Sequence, residues 1–382
     1  MKVLITGASG FVGKYVVAAA LQAGHHVRAV IRPKTDETRF SWHRHPHLEI
    51  ARYDLRSRRG LTDMVKGVDA VIHLAATKGG DFYDRFAGTV IATENLLLAM
   101  ADTGVNHLVV TSTFSVYDYQ AIPRETVLDE HSPLIQNPLD RDAYAQTKLI
   151  QEEMIREFEK EHQATVTIIR PGMIYGREAL WHALLGAEVS ATRWLKIGGH
   201  STLPMTYVEN CAEAIVQALT ATKAFGQTIN LVDDDLPTQQ RYINGLLNHE
   251  TAPPKLTPVS WALMQGIANT AWFVNQRLLK GRARLPGILV PAQLQARFRP
   301  LQYSNRLAKA LLDWTPRYSF AEALARSYGT ADLIAVPPPG VPATTANEGA
   351  IRSVSTGRRS AKFTFDSPPA LRSPVPPPLT EP

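Results

Sequence analysis

Mostly apolar runs at 2–6, 26–31, 48–52, 69–74, 107–112 and 165–170 alternate with longer helix-like stretches over the first two hundred or so residues. Short runs of this kind read as strands buried on both faces. Between them, the apolar positions predict helices over 11–23, 58–66, 85–103 and 142–162. Strand and helix in alternation predict an α/β fold, a doubly wound parallel sheet of Rossmann type covered on both faces. Ligands of such sheets bind outside the carboxyl ends of the strands, near the point where strand order reverses.

From about residue 175 the pattern shortens. A segment near 202–207, a helix from about 209 to 222 and a strand near 227–232 are expected to mix sheet edge with a smaller lobe. The run from Val259 to Val274 has no charged residue and is followed by Arg277, Lys280, Arg282 and Arg284. It reads as a core helix or as a lid over a cleft. The alternative is an interfacial anchor making peripheral membrane contact. With Gln265 and Asn269 inside it, the run is too short and too polar to span a bilayer comfortably. Residues 335–382 are rich in Pro, Ser, Thr and Ala with little apolar periodicity, and are expected to be disordered.

Composition adds mainly exclusions. The chain has 382 residues, 45% hydrophobic and 20% charged, with a net charge of +6. No basic stripe interleaved with aromatics is present, so nucleic acid is not an expected partner. The single cysteine, Cys211, precludes internal disulfides and fits a reducing compartment; it is expected to be a small buried residue on a helix. With a first strand beginning at residue 2, no signal peptide is expected and the location is expected to be cytoplasmic. His43, His45 and His47 alternate as metal ligands can, but Pro46 and the loop context favour solvated rings, so no metal is expected.

The chemistry begins at the N-terminus. The strand 2–6 breaks into Thr6-Gly7, and Gly10 and Gly13 open the first helix. Glycine serves where a turn is tight or backbone must touch a ligand. A helix N-terminus then points N–H groups and its dipole at a pyrophosphate. Residues Gly7, Ser9, Gly10, Phe11, Val12 and Gly13 are therefore candidate dinucleotide contacts. The Gly-x-x-Gly-x-x-Gly spacing after Thr6 resembles the short-chain dehydrogenase/reductase superfamily. Further on, Tyr144 and Lys148 stand four apart on one face of the 142–162 helix. A lysine ammonium about 4 Å from a tyrosine hydroxyl contributes roughly 4 kcal/mol at an effective dielectric near 20. That would lower the tyrosine pKa by about 3 and suit it to acid/base work.

Upstream, the strand 107–111 leads into Ser112-Thr113-Phe114-Ser115-Val116-Tyr117, and here the chain resembles the extended short-chain dehydrogenases, the NAD-dependent epimerase/dehydratase family. The resemblance implies that Thr113, with Ser112 as the alternative, hydrogen-bonds the reacting oxygen beside Tyr144 and Lys148. It also implies that Ala75 and Ala76 of His73-Leu74-Ala75-Ala76 let backbone approach the nicotinamide ribose. Asp54 and Leu55 would meet the adenine, and Pro171 and Met173 of the Arg170–Gly176 stretch would lie against the nicotinamide. Tyr207-Val208-Glu209-Asn210, Tyr303 and Trp314 match later landmarks, so the resemblance covers roughly residues 1–330. On this reading residues 1–175 form the dinucleotide-binding domain, and 176–330 a substrate lobe with elements returning to the main sheet.

Two departures qualify the resemblance. Thr89 stands where the family often has an Asn associated with a water relay. Phe114 and Ser115 stand where sugar-nucleotide 4,6-dehydratases carry an Asp-Glu pair, which argues against elimination chemistry. The second strand ends in Arg32-Pro33-Lys34 in place of an acidic residue. Because a guanidinium can grip a 2′-phosphate, Arg32 and Lys34 favour NADP(H), with NAD(H) the alternative. The expected activity is interconversion of a ketone and a secondary alcohol on a small-molecule, apolar substrate. The alternatives are a nucleotide-sugar 4-epimerase with retained NAD, to whose diphosphate Arg170 and Arg177 are the available clues, and a non-catalytic NADP-binding protein. Many relatives dimerise through helices equivalent to 85–103 and 142–162, so the resemblance offers a homodimer as one assembly, while the sequence itself does not fix the oligomeric state.

Overall fold

The computed structural model describes residues 1–329, apart from 191, 199, 200, 251, 252, 281 and 284. The expected tail at 335–382 lies outside the described residues. Seven strands form the central sheet: β1 (Lys2–Thr6), β2 (His26–Ile31), β3 (Leu48–Arg52), β4 (Ala70–His73), β5 (His107–Thr111), β6 (Thr165–Pro171) and β7 (Thr228–Leu231). Their order is β7-β6-β5-β4-β1-β2-β3, and every pairing is parallel. Strand order reverses between β1 and β4, so the crevice predicted from the alternation opens at their carboxyl ends.

The period-two geometry of β1 distributes its side chains between two cores. Val3 and Ile5 join Tyr15, Val16 and Ala20 of helix α1 (Phe11–Gln22), while Leu4 packs with Leu96 and Met100 of helix α2 (Ala92–Thr103) and with Ile155 of helix α3 (Ala143–His162). On the first face, α1 lies along helix α4 (Val208–Gln217), where Cys211 is buried as expected. The expected 58–66 helix shortens to Leu61–Val65. The expected 85–103 helix is interrupted: Phe86–Ile91 form a π-helical turn before α2 begins. In that turn the Thr89 hydroxyl accepts the Thr77 N–H at 3.1 Å and its carbonyl accepts the Thr93 hydroxyl at 2.6 Å. These polar tethers, invisible to hydrophobic periodicity, accompany the change of pitch.

Past the sheet, a short parallel pair joins Met173–Tyr175 to Met205–Tyr207. A second small sheet contains Ala187–Ser190, Arg193–Ile197 and Lys255–Val259, the last as an edge. That edge accommodates Pro258, which would interrupt a central strand. Val259 therefore belongs to a strand, and helix α5 runs from Trp261 to Arg277, capped by the Ser260 hydroxyl accepting the Leu263 N–H. Helix α6 (Pro291–Phe298) packs beside it. Among the described residues no helix is long and apolar enough to cross a membrane.

Backbone packs closely where β1 turns into α1. Gly7 has φ of +69°, and a β-carbon on Gly13 would stand 2.1 Å from the Gly7 carbonyl oxygen. Both partners there are backbone, so no rotamer change relieves the clash. Gly13→Ala is expected to cost about 1–3 kcal/mol by overpacking, seen as a lower denaturation midpoint. An unchanged midpoint would contradict the fit.

Candidate active site

The turn after β1 is closed by the Gly10 N–H donating to the Gly7 carbonyl at 2.9 Å. It leaves the first-turn N–H groups of α1, at Phe11, Val12 and Gly13, without helical acceptors. Ser9 lies half-buried in this turn. The neighbouring strand end is fixed by Thr6, whose hydroxyl accepts the N–H groups of Leu74 at 3.2 Å and Ala75 at 3.3 Å. Ala75 and Ala76 thus stand half-buried on the wall opposite the glycine turn, with Ala75 close to Gly7. These groups fit a dinucleotide: unpaired donors at a helix N-terminus, facing backbone that tolerates no added side chain.

At the far end of the crevice, Arg32 and Lys34 are exposed beyond β2. Asp54 carries a fork of bonds from Arg56, at 2.6–3.1 Å, which holds its carboxyl below the ordinary range with Arg32 contributing. Glu37 in the same loop is taken by Arg52. Leu55 is placed differently from Asp54: its side chain is buried in the core beneath α2, and its carbonyl accepts Asn95 Nδ2 at 2.9 Å. Only its backbone can face the crevice. Pro171 is buried at the end of β6, and Met173, half-buried, leads into the short strand pair. His47 stacks on His26 with centroids 4.3 Å apart, while the His43 ring bonds the Phe40 carbonyl.

Thr113, Tyr144 and Lys148 converge beyond β5. Asp142 caps α3 by accepting the Ala145 N–H at 3.2 Å, which sets Tyr144 in the first turn and Lys148 one turn on. Tyr144 hydrogen-bonds Thr113, while burial pushes its pKa up to about 12 against that bond, with Asp142 adding to the rise. Lys148 is turned the other way, donating to the Thr111 carbonyl at 2.8 Å and to Gln151 Oε1 at 2.7 Å. Burial lowers its pKa to about 7, helped by the charge of Lys78 and opposed by that of Glu152. The expected lowering of the tyrosine by the lysine is therefore reversed in this structure: desolvation outweighs a charge that is aimed elsewhere.

Lys78 itself was not legible as a site residue, since a lone lysine past a strand end has no spacing signal. Solvent reaches it, yet surrounding protein depresses its pKa, and its ammonium acts on both Lys148 and Cys211. It is thus a cation on the wall of the crevice. Ser112, the alternative to Thr113, is buried and donates its hydroxyl to Glu152. Glu152 also takes Arg170 through two bonds, at 2.9 Å and 2.5 Å, and Arg170 Nη1 donates to the Tyr117 hydroxyl at 3.1 Å. Arg170 is raised by this pairing and is committed to it. It is not free to hold a ligand diphosphate, which removes one of the two arginines expected to serve that purpose.

A crevice at the switch point, lined by donors for a pyrophosphate and by a threonine–tyrosine–lysine cluster, marks a nicotinamide-dinucleotide protein. The NAD dependent epimerase/dehydratase family profile matches residues 3–231, more than half of the sequence, and the chain belongs to that family. It is 28% identical over 342 residues to a 2-alkyl-3-oxoalkanoate reductase of Stenotrophomonas maltophilia (strain K279a), covering 85% of this chain and 98% of the relative. It is 29% identical over 243 residues to N-acetyl-alpha-D-glucosaminyl-diphospho-ditrans,octacis-undecaprenol 4-epimerase of Escherichia coli O157:H7, covering 60% of this chain and 67% of the relative. Among solved structures, the UDP-glucuronic acid 4-epimerase of Bacillus cereus, in complex with NAD, superposes with a TM-score of 0.63 at 22% identity. That match covers 86% of this chain and 97% of the other, and is a likeness of fold. Nicotinamide-dependent oxidoreductase chemistry is the general kind of activity these findings support.

The depressed Lys148 pKa has a consequence for stability. Between about pH 7 and the ordinary lysine value of 10.5, the unfolded chain holds a proton that the folded chain has released. The Lys148 contribution to stability therefore rises with pH across that window and is flat below it. Denaturant titrations across the window should show a shallower rise for Lys148→Met than for the unsubstituted chain. Identical slopes would contradict the burial assigned to this ammonium.

Proposed function

We propose that this protein reduces a ketone on an apolar carbon chain to a secondary alcohol, using NADPH. The observation that carries the proposal is Tyr144, half-buried, paired with Thr113 and holding its proton tightly. A phenol raised to about 12 by burial is a donor waiting for an oxygen that gains negative charge. The bound nicotinamide supplies hydride to the carbonyl carbon. Tyr144 delivers its proton to the carbonyl oxygen, and the Thr113 hydroxyl orients that oxygen. Lys148, one turn along the same helix, donates to Thr111 and Gln151 and keeps a third N–H, which is the group proposed for the ribose hydroxyls. Lys78 and the first turn of α1 hold the pyrophosphate.

The class of substrate is supported by the full-length similarity to a 2-alkyl-3-oxoalkanoate reductase. Such a substrate carries a carboxylate two carbons from the ketone. Arg297 of α6 has no hydrogen-bond or ion-pair partner among the described residues, and protein surrounding it lowers its pKa beside Arg141 and Asp142, at the head of the Tyr144 helix. It is the cation proposed to take that carboxylate. The phosphate-bearing cofactor is supported by Arg32 and Lys34, exposed beyond β2 with no salt bridge among the described residues, Arg32 acting on the Asp54 carboxyl only through its charge. A 4-epimerase is the second reading, favoured by the epimerase relatives, but the buried Arg170–Glu152 pair leaves one fewer arginine for a nucleotide diphosphate.

Two substitutions test the reading. Tyr144→Phe is expected to lower kcat for ketone reduction by about 10²–10⁴-fold, with NADPH affinity nearly unchanged; full activity in this variant would refute the proton donor. Arg32→Asp should weaken NADPH by roughly ten- to a hundredfold, the worth of a charge-assisted pair, and NADH far less. Equal losses for both cofactors would remove Arg32 as a phosphate ligand.

A further inference from the structure

Helix α5 buries one side and displays the other. Met264 and Ala268 pack against Ile197, Leu294 and Phe298, so the positions on their side of the helix face the protein. Leu263, Ile267, Thr270, Val274 and Leu278 recur every four, three, four and four residues along an exposed face beside the buried one, and Phe273 stands exposed on the side opposite Met264 and Ala268. Leu263 is 58%, Phe273 61% and Leu278 72% exposed. The one hydroxyl in this stripe is already satisfied, because Thr270 donates to the Gly266 carbonyl at 2.9 Å. Asn269 and Gln276, exposed beside Phe273, form a polar rim that can keep contact with headgroups and water while the apolar side chains are buried.

The end of the helix is built to the same purpose. The buried Asn275 side chain donates to the Ala283 carbonyl and accepts the Ala283 N–H, both at 3.1 Å. This clamp ties Ala283 to the end of the helix, and Leu278, Leu279, Lys280 and Arg282 stand exposed around Arg277. None of the three cations has an ion-pair partner among the described residues. The charge of the surrounding chain is one-sided as well. The 62 residues from 251 to 312 contain nine Lys or Arg and no Asp or Glu, so the rest of the chain is net negative.

We infer that the exposed face of α5 and the 278–283 turn dock the protein on an anionic lipid surface, lying in the interface without crossing it. Aliphatic and aromatic side chains on one face and unpaired cations at its end are the two components of interfacial binding. The cations favour a lipid leaflet over an uncharged apolar partner, since each basic residue near an anionic surface gains roughly fivefold in partitioning. The docking helix is joined to the loop that follows Tyr117, where Arg124 donates to Gln265 of α5 at 2.9 Å. The inference is independent of the reaction proposed above.

The test is flotation of the full chain with phosphatidylcholine vesicles, with and without about one-third phosphatidylglycerol, at low and high salt. The chain is expected to float with the anionic vesicles at low salt, and much less with the neutral ones. Phe273→Glu with Leu278→Glu should reduce the bound fraction at least about tenfold, while leaving the circular dichroism spectrum and NADPH affinity unchanged. Arg277→Gln, Lys280→Gln and Arg282→Gln together should remove the preference for anionic lipid. A chain that stays unbound with both vesicles, or that floats undiminished after the glutamate exchanges, overturns the inference. So does a dimer in sedimentation that the glutamate exchanges convert to monomer without any flotation, which would assign the face to a second copy.

Discussion

One buried chain of hydrogen bonds ties the glycine turn to the lysine of the site, and its directions allow a single arrangement. The Thr93 hydroxyl donates to the Thr89 carbonyl, so it can only accept from Gln151 Nε2 at 2.7 Å and from His73 Nε2 at 2.9 Å. His73 must then be protonated on Nε2 and accept at Nδ1 from the Thr6 hydroxyl, 2.7 Å away. Burial and the Lys148 charge push the His73 pKa down to about 3, which keeps the ring in that neutral form. At the other end, Gln151 accepts from Lys148. Strands β1 and β4 and helices α2 and α3 are thereby joined through buried side chains, and a connected network of this kind helps specify one core.

A second constraint lies one layer deeper. Glu152 and Arg170 form a pair that is almost completely buried, with Ser112 and Tyr117 filling the remaining bonds. Removing one member of such a pair is costly because the other charge is left alone in the interior. Its position explains the division of labour past β5: Ser112 is tied inward to the pair, and Thr113 is left to face Tyr144. The same interior makes desolvation the dominant influence on Tyr144 and Lys148, pushing one up and the other down.

Much of the central sheet was legible because buried parallel strands are short, apolar and regularly spaced. Strands 2–6, 26–31 and 48–52 match the expected bounds, those near 107–112 and 165–170 differ by one residue at one end, and that near 69–74 is one residue shorter at both ends. The Tyr144 and Lys148 pair was legible from helical spacing, and Thr113 from the resemblance. What was not legible depends on partners distant in sequence. The π turn at Phe86–Ile91 is tied through Thr77, the edge strand at Lys255–Val259 is mostly exposed, and Lys78 matters only because the fold sets it near Lys148. Leu55 illustrates the same limit, since a motif position does not say whether side chain or backbone faces the ligand. The direction of the Tyr144 shift was misjudged because helical spacing gives proximity but not the aim of an ammonium or the depth of burial.

The most direct test of the proposed reduction is the stoichiometry of one reaction on purified protein. A long-chain 3-oxoalkanoate and NADPH are mixed with the chain, and nicotinamide absorbance is followed beside product analysis. The account predicts one NADPH consumed for each secondary alcohol formed. Interconversion of a UDP-sugar with no net change in the nicotinamide, together with an inert ketone, would contradict it.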